Sequence, residues 1–429
     1  MFKYIKFFII CLLFFYTSCS CAIAEEALTW QDCIRGAAKN HPDLIAAQES
    51  VKQSEAAKQI SASTLFPQVD SSLSATTARS ASGEGTTATH QTSDNYSYGV
   101  SANQLLFDGL KTINNVNTAK ENIKASQQGY RFTSSEVRLR LRTAFVNLLK
   151  TQELVQVTEE IAAIRRSNFE LITLRYESGL EHKGALLTAE ADLARANFQI
   201  AQAKRNIELS QRQLTKEMGR AEFTPMSVKE DFKVIDSAKE KPDFETLAKN
   251  NPSLQQLIAQ KNAANFGLKS VYANFFPTLT GGAGANKAGS HWPAQNDQWN
   301  LGLTVSLPIF EGGLRLAQVS QAKALLNQLQ ANERSTRDGI IVTLAQTWAA
   351  LQDAVETVQV QYKSLIAAEE RAKIAESQYS TGFITYDNWS IIEDNLVNAK
   401  TAYLNAQANA LLAEANWIQA KGETLEYAQ

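Results

Sequence analysis

Histidine is the side chain best suited to hold a metal or carry a proton near neutral pH, and this sequence has four: His41, His90, His182 and His291. They are scattered, without the i, i+4 spacing that sets two ring nitrogens on one helix face. Cysteine offers no more. Cys11, Cys19 and Cys21 fall in an apparent leader and only Cys33 follows it, so the mature chain has neither an intrachain disulfide nor a cysteine metal cluster. No G-x-x-x-x-G-K-[ST] loop occurs, so the chain does not drive any process with a nucleotide site of that type. Gly281-Gly282-Ala283-Gly284 has the composition of a phosphate loop. It follows Phe276-Pro277 and opens no amphipathic helix, and it reads as a strand whose small residues let backbones approach closely. The expectation is a chain with no catalytic, cofactor or metal site, and not an enzyme. The remaining chemistry is noncovalent. Glu190 and Glu393 stand at equivalent places 203 residues apart, with Asp387 near the second. Each reads as part of a solvated helix face or as a carboxylate turned toward a pore.

Composition narrows the classes further. Lys and Arg number 42 against 44 Asp and Glu, which gives no electrostatic reason to expect a nucleic-acid partner. Apolar residues make up 44% of the 429, enough for a large buried surface. Residues 1–24 have the form of a secretory signal: Lys3 and Lys6, an apolar run from Phe7 to Tyr16, then Ala22-Ile23-Ala24 before Glu25. That run is too short to span a bilayer as a helix. Tyr16-Thr17-Ser18-Cys19 offers a second reading, a lipid anchor on Cys19, with Tyr where Leu is usual.

The elements that position these residues come in two copies. Asn40-His41-Pro42-Asp43-Leu44 is answered by Asn250-Asn251-Pro252-Ser253-Leu254, and Phe66-Pro67 by Phe276-Pro277, at an offset of 210. Leu106-Phe107-Asp108-Gly109 is answered by Ile309-Phe310-Glu311-Gly312, and Arg175-Tyr176-Glu177-Ser178-Gly179 by Gln378-Tyr379-Ser380-Thr381-Gly382, at 203. The seven-residue difference falls between about Ser80 and Gly99, a polar stretch that reads as a longer surface loop in the first copy. Repeats are expected over 25–219 and 243–422, joined by a linker over 220–242 and followed by a short tail over 423–429.

Within each copy apolar residues recur every seven positions. Leu141, Leu148, Val155, Ala162, Phe169 and Tyr176 form one series, and Leu344, Leu351, Val358, Leu365, Ala372 and Tyr379 its twin. Sustained heptads mean coiled-coil packing, and Gly179 and Gly382 sit where a helix needs a left-handed last residue. Helices are predicted over about 42–65, 110–177 and 183–219, and again over 244–275, 314–380 and 386–421. The longest would reach ~100 Å at 1.5 Å per residue. Between Phe66 and Phe107, and again from Pro277 to about 308, the period becomes two. Trp299, Leu301, Leu303, Val305 and Leu307 alternate with Asn300, Gly302, Thr304 and Ser306. Strands are predicted over about 66–78, 95–107, 277–286 and 299–308. Such alternation suits a half-buried hairpin in a soluble sheet or a transmembrane barrel with a wet lumen, with Tyr96, Tyr98, Trp292 and Trp299 in its aromatic girdle. Four strands cannot close a barrel, so strands in lipid would require several chains.

The tandem halves, the Phe-Pro strand starts, the Leu-Phe-Asp-Gly and Ile-Phe-Glu-Gly strand ends and the Tyr-x-x-Gly hairpin tips resemble the TolC family of outer-membrane efflux proteins over nearly all of residues 28–422. The resemblance implies a mainly α fold with β. It implies a homotrimer whose chains each give four strands to a twelve-strand barrel in outer-membrane lipid, continued by a coiled-coil periplasmic α-barrel. It further implies a passive exit duct of a Gram-negative tripartite efflux or type I secretion system, fed by an inner-membrane pump through a periplasmic adaptor (membrane fusion) protein. On this reading Arg175, Tyr176, Gly179, Tyr379 and Gly382 form the docking tips. The family's acidic ring past the second tip maps onto Asn388 and Ile391, so its aspartates are not carried over. Asp387, Glu393 and Asp394 lie nearby and, with Asn388, are the candidate periplasmic gate. The alternative is a periplasmic coiled-coil adaptor or scaffold that never enters the outer membrane.

Overall fold

The computed structural model describes residues 27–82, 89–232 and 241–427. The leader with Cys19 therefore lies outside the described residues, as does part of the 220–242 linker. In chain order the elements are β1 (Ala27–Leu28), α1 (Trp30–Asn40), α2 (Pro42–Ser63), β2 (Gln68–Ser82), β3 (Thr89–Phe107), α3 (Lys111–Glu177) and α4 (Lys183–Glu217). The second half follows with β4 (Ser227–Val228), α5 (Phe244–Asn250), α6 (Pro252–Ala273), β5 (Thr278–Gly289), β6 (Asn296–Ser306), α7 (Leu314–Ser380) and α8 (Tyr386–Ala420). A short 3-10 turn closes the chain at Leu425–Tyr427. The two long helices, α3 and α7, have 67 residues each.

Two expectations need correction. The single helix over 244–275 is broken into α5 and α6 at Asn251, whose extended backbone (φ −65°, ψ 129°) precedes Pro252. Proline disfavours a helical residue before it and lacks the N–H that a continuing helix would use. Asn251 caps α6 by accepting from the Ser253 N–H at 2.9 Å. The first copy repeats the break, with α1 ahead of α2 and His41 as the cap, its Nδ1 accepting from the Asp43 N–H at 3.2 Å. The second correction concerns the extra residues of the first copy. They lengthen a hairpin, since β2 and β3 pair without a break from Gln68↔Asn103 to Ser82↔Thr89. Residues 83–88, between the two strands, lie outside the described residues.

The chain divides into two compact units. One comprises, among the described residues, 40–82, 89–140, 241–356 and 413–427 and contains a four-stranded antiparallel sheet in the order β2-β3-β5-β6. Its helical core gathers Ala248, Leu344, Trp348, Leu351, Trp417 and Ala420, with the Trp348 and Trp417 rings 5.2 Å apart. The heptad residues Leu344 and Leu351 are thus core.

The other unit comprises, among the described residues, 27–39, 141–232 and 357–412. Here β1 and β4 form a two-stranded parallel sheet, Ala27↔Ser227 and Leu28↔Val228. Gln152 of α3 holds its rim: the side-chain amide accepts from the Val228 N–H at 2.9 Å and donates to the Val228 carbonyl at 3.1 Å. Arg142 forks onto Glu230 through both terminal guanidinium nitrogens, Nη1 and Nη2, and stacks over Trp30 at 4.9 Å. The described part of the linker is thereby pinned to α3. Cys33 is fully buried in this unit, and burial pushes its thiol up to about 12.

Candidate functional site

Two surfaces hold the candidate residues, one in each unit. The first is the four-stranded sheet. Cross-strand partners share a face, so the register sorts every residue. Val69, Leu73, Tyr98, Val100, Leu301 and Val305 fall on one face, with Trp299 opposite Ala285 and Tyr98 opposite Leu73 and Lys287. The other face carries Ser72, Ser74, Ser101, Asn103, Gly282, Gly284, Asn300 and Gly302. The apolar face is open: Trp299 is 81%, Leu301 79% and Leu73 72% exposed. Lys287 and Asp297 interrupt it as a mutually neutralising pair at 3.3 Å. They stand level with the aromatics, where Tyr96 and Tyr98 meet the Trp292 ring edge-on at 6.2 and 5.7 Å. The outer strands β2 and β6 pair on one side only. An apolar face with a polar reverse, an aromatic level and two unpaired edges is what a segment of a lipid-embedded barrel requires.

The second surface lies at the hairpin tips. Helix α3 ends on Gly179 (φ +70°) and α7 on Gly382 (φ +80°). Both ends carry the same closing bonds. Leu180 N–H donates to the Arg175 carbonyl and Gly179 N–H to that of Tyr176, at 2.8 and 3.0 Å. Phe383 and Gly382 donate to Gln378 and Tyr379 at the same two distances. These bonds satisfy carbonyls that the helix leaves orphaned, and they need a residue of positive φ. His182 caps the following helix, its Nδ1 accepting from the Ala185 N–H at 3.1 Å. Two of the four histidines are therefore helix caps.

The two tip tyrosines differ. Tyr176 is 39% exposed, whereas Tyr379 is buried. The Tyr379 ring stacks on Trp389 at 4.5 Å and 11°, meets Tyr386 edge-on at 6.3 Å, and lies 4.7 Å from the Arg175 guanidinium. Its hydroxyl donates to Glu181 Oε2 at 2.7 Å. Burial, reinforced by that bond, pushes the phenol well above its ordinary range. Arg175 and Glu181 belong to the first hairpin and Tyr379 to the second, so this cluster ties the hairpins together. Ile172, Ala185, Ala189 and Ala375 complete its core.

The candidate gate residues are placed unevenly. Asp387 and Asn388 are exposed. Asp394 accepts a hydrogen bond from Arg165 of α3, and Glu393 is 6% exposed, whereas its counterpart Glu190 faces solvent. A small cavity beside Glu393 is lined by Arg165, Asp192, Tyr386, Trp389 and Ser390. Burial raises the Glu393 pKa; Arg165 opposes this, while Glu376 and Asp394 add to it. Over the interval between the ordinary and the raised value, the folded chain keeps a proton that the unfolded chain has released. Stability from this group is therefore fullest below that interval and declines as pH rises through it. Glu393→Gln is expected to remove that decline and to be the more stable form at mildly alkaline pH. Thermal unfolding of both proteins across the mildly acidic to mildly alkaline range checks this; parallel pH profiles would refute it.

The structure brings Arg175 and Tyr379, named from the sequence as docking-tip candidates, into one cluster beside the positive-φ glycines, and adds Glu181, Arg165 and Trp389, which the sequence reading did not name as site residues. Trp389 left a signal, since it starts a seven-residue apolar series with Leu396, Tyr403, Ala410 and Trp417 in the returning helix. Glu181 and Arg165 left none, because their partners lie far away in sequence.

A family model described as "Outer membrane efflux protein" matches residues 33–220 and 244–423. Outer membrane efflux protein BepC of Brucella suis biovar 1 (strain 1330) is 21% identical over 330 residues, 76% of this chain and 71% of that protein. Outer membrane protein TolC of Escherichia coli (strain K12) is 23% identical over 66% of this chain and 61% of its own length. The solved structure of the outer membrane protein VceC from Vibrio cholerae has the same fold, with a TM-score of 0.77 at 18% identity, covering 92% of this chain and 96% of that one.

Proposed function

Because the chain belongs to the outer membrane efflux protein family and resides in the Gram-negative outer membrane, we propose that it is the passive exit duct of a tripartite efflux or type I secretion system. The observation that carries this reading is the sheet: one exposed apolar face, one polar face and an unpaired strand at each side. In lipid, unpaired backbone groups cost several kcal/mol each, so the edges must be joined. β6 of one copy pairs with β2 of the next, and three copies close a twelve-strand barrel whose polar faces line a lumen. Two copies would give eight strands, an interior that side chains fill. The repeats and helices supply the periplasmic part of the duct.

The tips built on Gly179 and Gly382, with Arg175, Tyr176 and Tyr379, receive a periplasmic adaptor fed by an inner-membrane pump. Asp387, Asn388, Glu393 and Asp394 form the region that opens. The duct catalyses no reaction and needs no cofactor. A scaffold confined to the periplasm would have no use for an apolar sheet face that faces outward.

The test is reconstitution. Detergent-extracted protein added to a planar bilayer is expected to give long-lived conductance steps, and solubility is expected to depend on detergent. A water-soluble protein that conducts nothing would overturn the reading.

A further inference from the structure

We propose that Asp70 gives the duct a preference for cations over anions within its barrel; this deepens the duct reading and rests on it. Strands β2, β3, β5 and β6 contain five residues of fixed charge: Asp70, Arg79, Asp94, Lys287 and Asp297. The register places four of them on the apolar face. Arg79 pairs with Thr92 and Asp94 with Thr77, in step with Val69 and Leu73. Lys287 and Asp297 pair with each other there. Asp70 alone falls on the polar face, opposite Ser101, which lies opposite Gly284 and then Asn300.

Asp70 is exposed. Its neighbours on that face, Gln68, Ser72, Ser101 and Asn103, are uncharged, so nothing beside it offsets its carboxylate. In the closed barrel three such carboxylates form one ring near the start of β2, in a wall otherwise lined by uncharged residues, chiefly Ser, Thr, Asn, Gln and Gly. A low-dielectric wall focuses the field of fixed charges into the water it encloses, and rings of acidic side chains are how pores favour cations. The reach of that field is set by salt: the Debye length is ~10 Å at 0.1 M and ~30 Å at 0.01 M. The preference therefore grows as ionic strength falls. Cargo of net positive or zero charge passes the ring more readily than polyanions of the same size.

Reversal potentials in planar bilayers test this, under a KCl gradient centred near ~0.01 M, with wild type, Asp70→Asn, Asp70→Ser and Asp70→Lys. Serine already occupies positions 72 and 74 of the same strand face, so Asp70→Ser preserves the wall if the lysine variant fails to assemble. Wild type is expected to favour K⁺ over Cl⁻. The neutral variants should lower the permeability ratio roughly twofold or more at that salt, and Asp70→Lys should lower it further. Channels of normal conductance with an unchanged ratio in every neutral variant would overturn the role of Asp70 and leave the duct standing. Absence of any wild-type channel would instead overturn the duct reading, and this proposal with it.

Discussion

Replacing Gly422 by valine is expected to cost the fold a large share of its stability, whereas the same change at Gly382 costs it far less. Both glycines end a long helix at nearly the same angle, φ +79° and +80°. Both carry the same closing bonds; at the later site Gly422 N–H donates to the Gln419 carbonyl at 2.8 Å and Glu423 N–H to that of Ile418 at 3.3 Å. The left-handed backbone charges any L side chain ~1–2 kcal/mol. The surroundings differ. A Cβ at Gly382 would meet nothing within 4 Å, whereas at Gly422 it would lie 2.3 Å from Pro252 Cδ. That ring cannot step aside, since Pro252 opens α6 and its neighbour Asn251 is bonded through Nδ2 to the Ala420 carbonyl at 3.1 Å.

Overpacking of this kind adds ~1–3 kcal/mol, and the chain beyond Gly422 has much to lose. Leu425 N–H donates to the buried Ser134 hydroxyl at 3.1 Å, Arg138 to Glu423 at 3.1 Å, and the Tyr130 hydroxyl to Glu426 at 2.9 Å. Roughly 2–5 kcal/mol of destabilisation is expected at Gly422, which is a large share of a typical domain's stability. Denaturant unfolding and the amount of protein recovered from outer membranes measure it. Equal losses at the two glycines would contradict the explanation from Pro252.

Arg165→Met is expected to loosen the hairpin cluster by roughly 2–4 kcal/mol, and a second change, Glu393→Gln, to restore most of that. Arg165 is buried, 7% exposed, and joins α3 to Asp394 of α8. Its charge also offsets the buried Glu393. Removing one member of a buried pair costs ~3–5 kcal/mol, because the other charge is stranded. Asp394 discounts that figure, since its side chain is 52% exposed and water replaces its partner. Glu393 is buried, so water does not replace the lost offset, and above its raised pKa its charge is stranded. Neutralising it with glutamine removes the stranded charge, so recovery in the double variant assigns the penalty to Glu393. Limited proteolysis at the tip and thermal unfolding read this directly. Single and double variants of equal stability would place the cost in lost packing.

Much of the architecture was legible because it rests on periodicity and duplication. The heptads of Leu141 to Tyr176 and of Leu344 to Tyr379 lie within the 67-residue helices α3 and α7. The Tyr-x-x-Gly turns named the glycines of positive φ. The alternation around Trp299 gave β6 and its two faces. The break at Asn251-Pro252 was visible as a dipeptide but was overridden by the apolar pattern on either side of it. The length of the first hairpin was not visible, because Thr76 to Ser82 has no apolar face to reveal a period. The divergence of Tyr176 from Tyr379, and of Glu190 from Glu393, could not be read from two copies that look alike. Each member's burial is decided by partners such as Glu181 and Arg165, whose nearness is a property of the fold alone.

The reading as a duct stands or falls on the joining of β2 to β6 between copies. Native mass measurement of the complex extracted from outer membranes in mild detergent tests this most directly. Three mature chains per particle are expected, the number that turns four strands into a barrel with a lumen. Particles of one chain, or of two, would contradict it.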